Sequence, residues 1–256
     1  MGVFGAKPSS SGVSIACYSP TNQCIFQAVM KRVSKVLGII CLWVGLLPFC
    51  IQTLSSQSSF SIALLTYNGG GDWYANPSAL PNLVAFCNQE LNTNIDQTIA
   101  EVNPGDQAIF NFPFIHMTGH GNVTFSAQER ENLRTYLNHG GFLHIDDNYG
   151  MDPFVRREIQ QLYPDKVLKP VPVNHPIYTT FYSFPEGLPK IHEHDGKPAE
   201  ALGIFVEGDL VLLYTYEADL GDGWEDPDVH GDSEELRQKA LKMGANILEY
   251  ALTGGY

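Results

Sequence analysis

Short apolar runs alternate with Gly-rich loops and amphipathic segments along most of this chain, and this alternation restricts its fold more than any other feature. The runs FSIALLTY, QAIFNFPFI and FLHI, at residues 60–67, 107–115 and 142–145, have the length and composition of buried strands. An amphipathic helical pattern follows each of them. Repeated strand, loop and helix order predicts a mainly parallel sheet with helices on both faces. We therefore expect an α/β fold with three layers.

Later in the chain, residues 201–216 depart from this order. The sequence ALGIFVEGDLVLLYTY predicts two strands joined at residues 207–209, a β-hairpin added to the sheet. In parallel sheets, ligands bind outside the carboxyl ends of the strands. Three predicted loops, 68–76, 116–122 and 146–150, would meet at that edge. The order of elements alone therefore predicts where a site would lie.

The predicted helices carry recognisable end signals. Ser126 and Glu129 form a predicted capping box for the helix after the second strand. Asp232 and Glu235 offer another capping box for the final helix. In the first helix, Cys87 shares a face with apolar side chains, so we expect a buried structural thiol.

The N-terminal part of the chain does not read as part of this sandwich. Residues 1–29 show no periodic pattern and are interpreted as a gene-model extension or a disordered tail. The basic sequence MKRVSK and a long apolar run then predict a signal peptide at residues 30–56. The apolar run itself, residues 36–54, is long enough for a retained membrane anchor instead. In both cases we expect residues 57–256 to form a single exported domain, periplasmic or extracellular.

Charge narrows the range of partners for the exported part. The first 56 residues hold four basic and no acidic side chains, so the remainder has 11 basic against 28 acidic residues, a net charge of −17. Such a surface repels nucleic-acid phosphates and anionic lipid head groups, which leaves cations and neutral polar molecules as expected ligands. Membrane contact is expected only through the N-terminal segment. Cys87 has no second cysteine in this part with which to form a disulfide.

The most prominent polar group combines Asp146, Asp147 and Asn148 with His116 and His120. Carboxylates are costly to bury unless they are paired, bound to a metal or held for a reaction. Asp146, Asp147 and His120 are therefore candidate catalytic residues for general acid and base chemistry, or ligands of a divalent cation. His116 and Asn148 are candidate ligand-binding residues. The structural alternative is that one acid caps the next helix and hydrogen-bonds the loop around His120.

Other histidines are weaker candidates. In HEHDG, His192 and His194 point to the same side of an extended segment and have the spacing to share a divalent metal, although structural hydrogen bonding explains the pattern as well. His175 precedes a proline and either helps to form the same ligand-binding crevice or serves only in a turn. His139, at a helix end, and His144, inside a strand, are expected to be structural.

Two tryptophans lie in polar, Gly-rich segments. Trp73 follows Asp72 in GGGDW, and Trp224 lies in the acidic stretch ADLGDGWEDPDVHGD. An indole beside acids and amides is a common means of stacking a sugar, so Asp72, Trp73 and Trp224 are candidate ligand-binding residues. The alternative is that each indole only packs over the sheet edge. The acidic stretch has the composition of a calcium-binding loop but lacks the EF-hand spacing, so we expect a solvated or helix-capping loop there, with calcium binding as the alternative.

Several long motifs connect the chain with a known family. With YNGGGDWYANPSALPNL, TGHGNVTFS, LNHGGFLHIDDNYGMD, NHPIY, LPKIHEHDG and YTYEADLGDGWEDP, it resembles the bacterial domain-of-unknown-function family numbered 4159 over residues 61–254. The resemblance implies a flavodoxin-like fold similar to that of class I glutamine amidotransferases and trehalose-utilisation-type domains. It implies no established activity.

The amidotransferases of that superfamily carry a catalytic cysteine in the sharp turn after a central strand. The corresponding position here holds Asp146 and Asp147, whereas Cys87 lies in the first predicted helix. Residues 118–121 match the oxyanion-type loop only loosely. Cysteine-dependent glutamine hydrolysis is therefore disfavoured.

Two functions of different classes remain open. The first is a non-catalytic module of the cell envelope whose polar crevice binds a small polar ligand, such as a carbohydrate or an envelope fragment. The second is a hydrolase in which Asp146, Asp147 and His120, with or without a divalent metal, activate water and protonate the leaving group. Both functions place the site at the carboxyl edge of the sheet.

Overall fold

Seven strands form one sheet in the part of the chain that the structure, a computed structural model, describes, which is residues 59–254. The strands are β1 (Ala63–Leu65), β2 (Ala100–Val102), β3 (Phe114–His120), β4 (Phe142–Tyr149), β5 (Lys169–Pro170), β6 (Glu200–Val206) and β7 (Asp209–Tyr216). Their order across the sheet is β2-β1-β3-β4-β7-β6-β5. The predictions for residues 1–29 and 30–56 lie outside the described residues.

Six α-helices accompany the sheet within the described residues. They are α1 (Ala79–Glu90), α2 (Ala127–Asn138), α3 (Asp152–Leu162), α4 (Leu220–Trp224), α5 (Pro227–His230) and α6 (Glu234–Thr253). Helices α1, α4 and α6 bury one face of the sheet, and α2 and α3 bury the other. The predicted three-layer α/β sandwich is therefore confirmed. None of these helices is both long and apolar enough to cross a membrane.

The strand directions give a flavodoxin-like topology. Strands β2, β1, β3, β4 and β7 run parallel, whereas β6 pairs antiparallel with β7, and β5 pairs antiparallel with β6. The predicted hairpin, β6 with β7, is confirmed. The chain changes its direction of winding at β1, because β2 lies on one side of it and β3 on the other. This switch point, where ligands of open α/β sheets bind, brings Leu64 beside both Glu101 and His116.

One predicted strand begins with a different element, and two strands were not predicted. The apolar run at residues 107–115 starts with a 3₁₀-helix, Gln107–Asn111, and β3 starts only at Phe114. Pro113 separates the two elements because it has no N–H to donate within a sheet. Strands β2 and β5 were missed because they are only three and two residues long and carry charged side chains.

The helix ends show what a single sequence can and cannot specify. The capping box of Ser126 and Glu129 is confirmed, with Ser126 Oγ accepting from the Glu129 N–H at 3.2 Å. The box predicted for Asp232 and Glu235 is wrong. Ser233 caps α6 instead, since its side chain accepts from the backbone N–H three residues later. Adjacent residues of equal capping propensity make such an error easy.

Cys87 is the buried structural thiol that its helix position predicts. It is 1 % exposed and packs in the apolar layer formed by α1 and α6. Burial raises the pKa of this thiol to about 12, so at neutral pH it is protonated and a poor nucleophile.

Candidate functional site

The two acids of β4 lie on opposite faces of the sheet. Successive side chains of a strand point to opposite sides, and β4 continues past residue 145 through both acids. His144, Asp146 and Asn148 therefore share the face covered by α1, α4 and α6, whereas Asp147 points to the side of α2 and α3. The loop predicted here is thus a strand, and the two carboxylates serve separate surroundings.

Asp146 is completely buried and hydrogen-bonded at both oxygens. Its Oδ1 accepts a short hydrogen bond from the Thr215 hydroxyl, and its Oδ2 accepts from the Gly221 N–H at 2.6 Å. A Cβ at Gly221 would lie 3.1 Å from Asp146 Oδ2 and 2.9 Å from Asn76 Nδ2, which explains the glycine. Burial raises the pKa of Asp146 to about 7, although both hydrogen bonds oppose the rise. This carboxyl therefore exchanges its proton near neutral pH.

Asp147 faces a different pocket. Its carboxylate accepts from the Met151 N–H at 3.0 Å and from the Tyr214 hydroxyl at 3.2 Å, and burial raises its pKa. It lines an open pocket of about 270 Å³ together with His194 and Lys197, among others. Because Met151 directly precedes α3, Asp147 also anchors the start of that helix.

His116 and His144 form a buried pair beside Trp224. Their Nδ1 atoms are 3.1 Å apart, and the two ring centroids lie 5.4 and 5.7 Å from that of the indole. Burial lowers the pKa of His116 to about 3 and that of His144 well below its ordinary value, so both rings are neutral. His144 Nε2 lies 3.1 Å from Thr215 Oγ1, whereas His116 Nε2 is buried without a hydrogen-bond partner. A ligand or water atom is expected at that nitrogen.

These contacts form a continuous hydrogen-bond chain from Asp146 to His116. With Asp146 ionised, Thr215 donates to the carboxylate and accepts from His144 Nε2. His144 Nδ1 then accepts from His116 Nδ1, which leaves a lone pair at His116 Nε2. With Asp146 protonated, Thr215 donates either to the Ile145 carbonyl at 3.2 Å or to His144 Nε2, and in the second case every donor reverses and His116 Nε2 carries a hydrogen. The chain therefore allows His116 to offer an acceptor or a donor.

His116 lines an open pocket at the switch point between β1 and β3. We call it the switch-point pocket, and its volume is about 340 Å³. Leu64 and Glu101 line it from the neighbouring strands, and Trp73 and Tyr74 line it from the loop after β1. The Tyr74 ring is 64 % exposed and meets Trp73 edge-on, with centroids 5.5 Å apart. The pocket thus combines aromatic and aliphatic walls with an unpaired imidazole nitrogen.

Two asparagines connect the switch-point pocket with the loops beyond it. Asn76 lines the pocket and has a left-handed backbone, φ 59°, which asparagine tolerates better than most residues. It accepts from Asn148 Nδ2 at 2.7 Å and donates to Asp222 Oδ1 at 2.6 Å. Asn148 Oδ1 also accepts from the Thr118 hydroxyl at 2.8 Å. Asn148, a predicted ligand-binding residue, therefore supports the wall of the pocket.

Asp72 and His120 form an exposed pair at the end of β3. His120 Nδ1 lies 3.1 and 3.2 Å from the two oxygens of Asp72, which also accepts from the His120 backbone N–H. The His120 side chain is 52 % exposed. A carboxylate that holds one imidazole nitrogen leaves the other to act as a general base. Among the described residues, no hydrogen bond joins His120 to Asp146 or Asp147.

The HEHDG segment and the acidic stretch meet in one cluster of imidazoles and carboxylates. His192 Nδ1 lies 3.0 Å from Asp222 Oδ2, and its Nε2 lies 2.9 Å from Asp232 Oδ1. The hydrogen bond with Asp222 is the largest effect that raises the pKa of His192, to about 9. His194 Nε2 contacts Asp219 Oδ2, which is also 3.8 Å from His192 Nδ1. The two histidines that the sequence pairs therefore approach the same carboxylate.

Trp224 and His175 are parts of the packed interior rather than of a pocket wall. Trp224 is fully buried, and its Nε1 donates to the Ala240 carbonyl at 2.8 Å. The solvated or helix-capping loop predicted for the acidic stretch is wrong for Leu220–Trp224, which form α4 and pack against α6. His175 begins a single 3₁₀ turn, and its ring lies 5.2 Å from that of Tyr250. Neither residue is retained in the candidate site.

The two pockets and the cluster lie within a segment that matches a known family. The sequence profile of a domain of unknown function, DUF4159, matches residues 61–252. The chain belongs to this family. No curated protein matches it. The family description assigns no activity, so any function of this DUF4159 domain is argued from its side chains.

Several residues that build these sites in the DUF4159 domain were not predicted. The alternation in FLHIDDN was sufficient to place His144 on the same face as the acid two residues later. Asp222 and His230 belong to the acidic stretch. Like HEHDG, this stretch carries imidazole and carboxylate groups that can bind a metal, and this similarity was the available signal. Thr215 and Asn76 gave no signal, because neutral polar side chains acquire such roles only through tertiary contacts.

Proposed function

We propose that this DUF4159 protein binds a small, neutral, hydroxyl-bearing ligand, such as a sugar ring, in the switch-point pocket without catalysing a reaction. The observation that carries the proposal is His116 Nε2, a buried nitrogen without a hydrogen-bond partner on a residue that lines the pocket. A ligand hydroxyl at this atom would satisfy a group whose isolation costs about 1–3 kcal/mol. The location supports the proposal, because open α/β sheets bind ligands at their switch points.

The hydrogen-bond chain behind His116 favours a hydroxyl over other polar groups. The chain allows His116 Nε2 to accept when Asp146 is ionised and to donate when Asp146 is protonated, and burial raises the pKa of Asp146 to about 7. Both forms are therefore populated near neutral pH. A hydroxyl donates and accepts, so it pairs with either form, whereas an ammonium or a carbonyl group pairs with only one.

The walls of the pocket restrict the rest of the ligand. Trp73 and Tyr74 supply aromatic rings of the kind that stack on the C–H face of a sugar. Glu101 and the net charge of −17 on residues 57–256 disfavour an anionic ligand. The volume of about 340 Å³ is at the lower end of the range for small-molecule sites, roughly 300–1,000 Å³, which suits one or two sugar units.

We also propose that the domain acts outside the cytoplasm, in the cell envelope or beyond it. The support is the basic and apolar sequence of residues 30–56, which has the composition of a signal peptide. N-terminal sequencing of the exported protein tests this part. A terminus near Ser56 or Gln57 is expected, and an intact Met30 or Met1 would contradict cleavage.

Ligand-observed NMR with a panel of neutral mono- and disaccharides, including N-acetylated amino sugars, tests the pocket. We expect at least one sugar to bind the wild-type protein. Trp73→Ala and His116→Leu should each weaken that binding at least tenfold, because one removes an aromatic wall and the other removes Nε2. Tyr149→Phe is the matched control, since Tyr149 lines the other pocket.

The outcome decides between the switch-point pocket and other surfaces. If a sugar binds equally well to the wild type and to both folded variants, its site is not this pocket. If no sugar in the panel binds, the proposed ligand class is wrong. Circular dichroism of each variant excludes unfolding as the cause of lost binding.

A hydrolase is the second candidate, favoured by the exposed Asp72 and His120 pair. In this function His120 would take a proton from water while Asp72 stabilised the imidazolium. The previously predicted acids, Asp146 and Asp147, already accept internal hydrogen bonds. A screen of glycosides, esters and amides with the wild type and His120→Asn tests this alternative. Turnover that survives in His120→Asn, or that is absent from the wild type, would exclude it.

A further inference from the structure

We propose that His192, Asp222 and His230, which we call the loop cluster, form a binding site for a divalent transition-metal ion such as Zn²⁺, with the buried carboxylate of Asp219 beside it. One ligand atom from each of the three cluster residues lies within 4.8 Å of the others. The proposal is independent of the sugar pocket, since it uses none of the atoms that line it.

The separations of the converging atoms match a tetrahedral site. Ligand atoms bound at about 2.0–2.2 Å from one Zn²⁺ lie about 3.4 Å from each other. Asp222 Oδ2 is 3.0 Å from His192 Nδ1 and 3.7 Å from His230 Nδ1. The other oxygen of Asp222 is held by Asn76 Nδ2 at 2.6 Å, which fixes the orientation of the carboxylate. All three ligand atoms lie within 4.8 Å of one another, so small shifts of the side chains would bring them onto a common ion.

Both imidazoles are also held from behind, as metal ligands usually are. His192 Nε2 lies 2.9 Å from Asp232 Oδ1, and His230 Nε2 lies 2.9 Å from Glu225 Oε2. A carboxylate on the far nitrogen selects the tautomer with its lone pair at Nδ1 and makes that lone pair more basic. Both histidines therefore direct Nδ1 towards the same aspartate. This arrangement is expected of a site that binds a cation.

Asp219 is a buried carboxylate beside the loop cluster. It is 0 % exposed, and neither of its carboxylate oxygens has a hydrogen-bond partner. Its Oδ2 contacts His194 Nε2 without hydrogen-bond geometry and lies 3.8 Å from His192 Nδ1. A buried carboxylate without hydrogen bonds is unfavourable unless it is protonated or faces a cation. Asp219 also has a left-handed backbone, φ 52°, a strain that often accompanies a functional position.

The ligand set selects the kind of metal. Two imidazole nitrogens and one carboxylate suit zinc and its first-row neighbours, whereas Ca²⁺ and Mg²⁺ prefer oxygen ligands only. His230 is exposed, so an ion reaches the site from solvent and keeps room for a water molecule. The acidic surface of the domain attracts cations in general and assists entry.

Competition titration of metal-free, full-length protein with Zn²⁺ against a chromophoric chelator tests the proposal. One tight site per chain is expected, and His230→Gln should weaken it at least a hundredfold because it removes a ligand. Glu225→Gln should weaken it about 10- to 100-fold, because it removes only the support behind that ligand. His139→Gln is the matched control: this histidine is exposed and bonds only its own helix. Mg²⁺ and Ca²⁺ should not compete.

Asp219→Asn separates a metal role from a merely structural one. We expect this variant to bind Zn²⁺ at least tenfold more weakly, because it removes an acid 3.8 Å from the ligand atom His192 Nδ1, and yet to be no less stable than the wild type without metal, because Asp219 makes no hydrogen bond that the variant would lose. A wild-type protein without a tight Zn²⁺ site, or one whose affinity is unchanged in folded His230→Gln, would overturn the proposal. Sugar binding should persist in the metal-free protein, so the two proposals fail separately.

Discussion

The molecule contains two histidine pairs with nearly the same ring separation and opposite surroundings. The centroids of His116 and His144 are 5.0 Å apart, and those of His192 and His230 are 5.2 Å apart. The first pair is buried under apolar side chains, and burial lowers the pKa of both imidazoles. The second pair lies among carboxylates, and hydrogen bonds with them raise the pKa of His192 to about 9. Neighbouring groups, not ring contact, therefore set the charge of each pair.

The difference shows how one fold prepares two kinds of recognition. Neutral imidazoles in an apolar layer offer a directed hydrogen bond to an uncharged ligand, because a charged one would have to lose its water. Imidazoles that contact carboxylates attract a cation. When no metal is bound, that cation is a proton. Helix α4 lies between the two pairs, since Trp224 packs on the first and Asp222 hydrogen-bonds the second. The two regions are thus structurally coupled through one short helix.

The largest effect is expected from Trp224→Ala, which would damage both pairs at once. Removing this fully buried indole should lower the free energy of unfolding by about 3–5 kcal/mol, because it leaves a cavity beneath both rings. Chemical denaturation measures the loss. Trp73→Ala is the control, with a smaller loss expected because that indole is only partly buried. Equal losses in the two variants would mean that α4 is not anchored by Trp224.

Acid should weaken the contribution of His116 and His144, the inner pair, to the stability of the protein. Between pH 6.5 and about 3, an unfolded histidine binds a proton that folded His116 does not bind, so stability falls as the pH falls through this window. Each such histidine should cost about 2 kcal/mol between pH 7 and pH 5. The double variant His116→Leu with His144→Leu should lose this dependence, as measured by denaturation at both pH values. A double variant with the pH dependence of the wild type would show that the rings are charged in the fold.

The sequence predicts the layers of this fold better than its edges. Strong apolar runs and a capping box located β1, β4 and α2, because these elements are specified by local pattern and packing. The short strands β2 and β5 exist only because a neighbouring strand offers hydrogen bonds. Pro113, by contrast, indicates from the sequence alone that the apolar run around it is not a single strand.

The sequence predicted the location of the candidate site but not the contacts between its side chains. Element order put His116, Trp73 and the acids of β4 near one sheet edge, and the structure does the same. The pairing of His116 with His144 depends on the register of β3 on β4, which no local pattern specifies. The assignment of Trp224 to a polar loop was wrong. The glycines and acids around it indicated an exposed loop, whereas its large ring is buried.

The variant Asn76→Ala should break the hydrogen bonds that connect the inner pair with the outer pair, which is His192 and His230. Loss of its hydrogen bonds with Asp222 and Asn148 is expected to cost about 1–2 kcal/mol, and the same left-handed backbone would strain alanine further. Asn92→Ala is the matched control, because Asn92 is exposed and has a similar φ of 54°. Chemical denaturation of both variants isolates the hydrogen bonds from the backbone strain. Equal losses would mean that Asn76 does not connect the two regions.

The smallest effect is expected from Asp232→Asn, which removes only the negative charge beside His192 Nε2 in the outer pair. His192 stabilises the fold fully below pH 6.5, and this contribution is lost as the pH rises through about 9. Removing the charge beside Nε2 should lower the pKa of His192 and cost less than about 1 kcal/mol at pH 6, since the pair is partly exposed. NMR titration of metal-free protein measures the pKa, and exposed Asp228→Asn is the control. If Asp232→Asn left the His192 pKa unchanged, the carboxylates would not be what distinguishes the outer pair from the inner one.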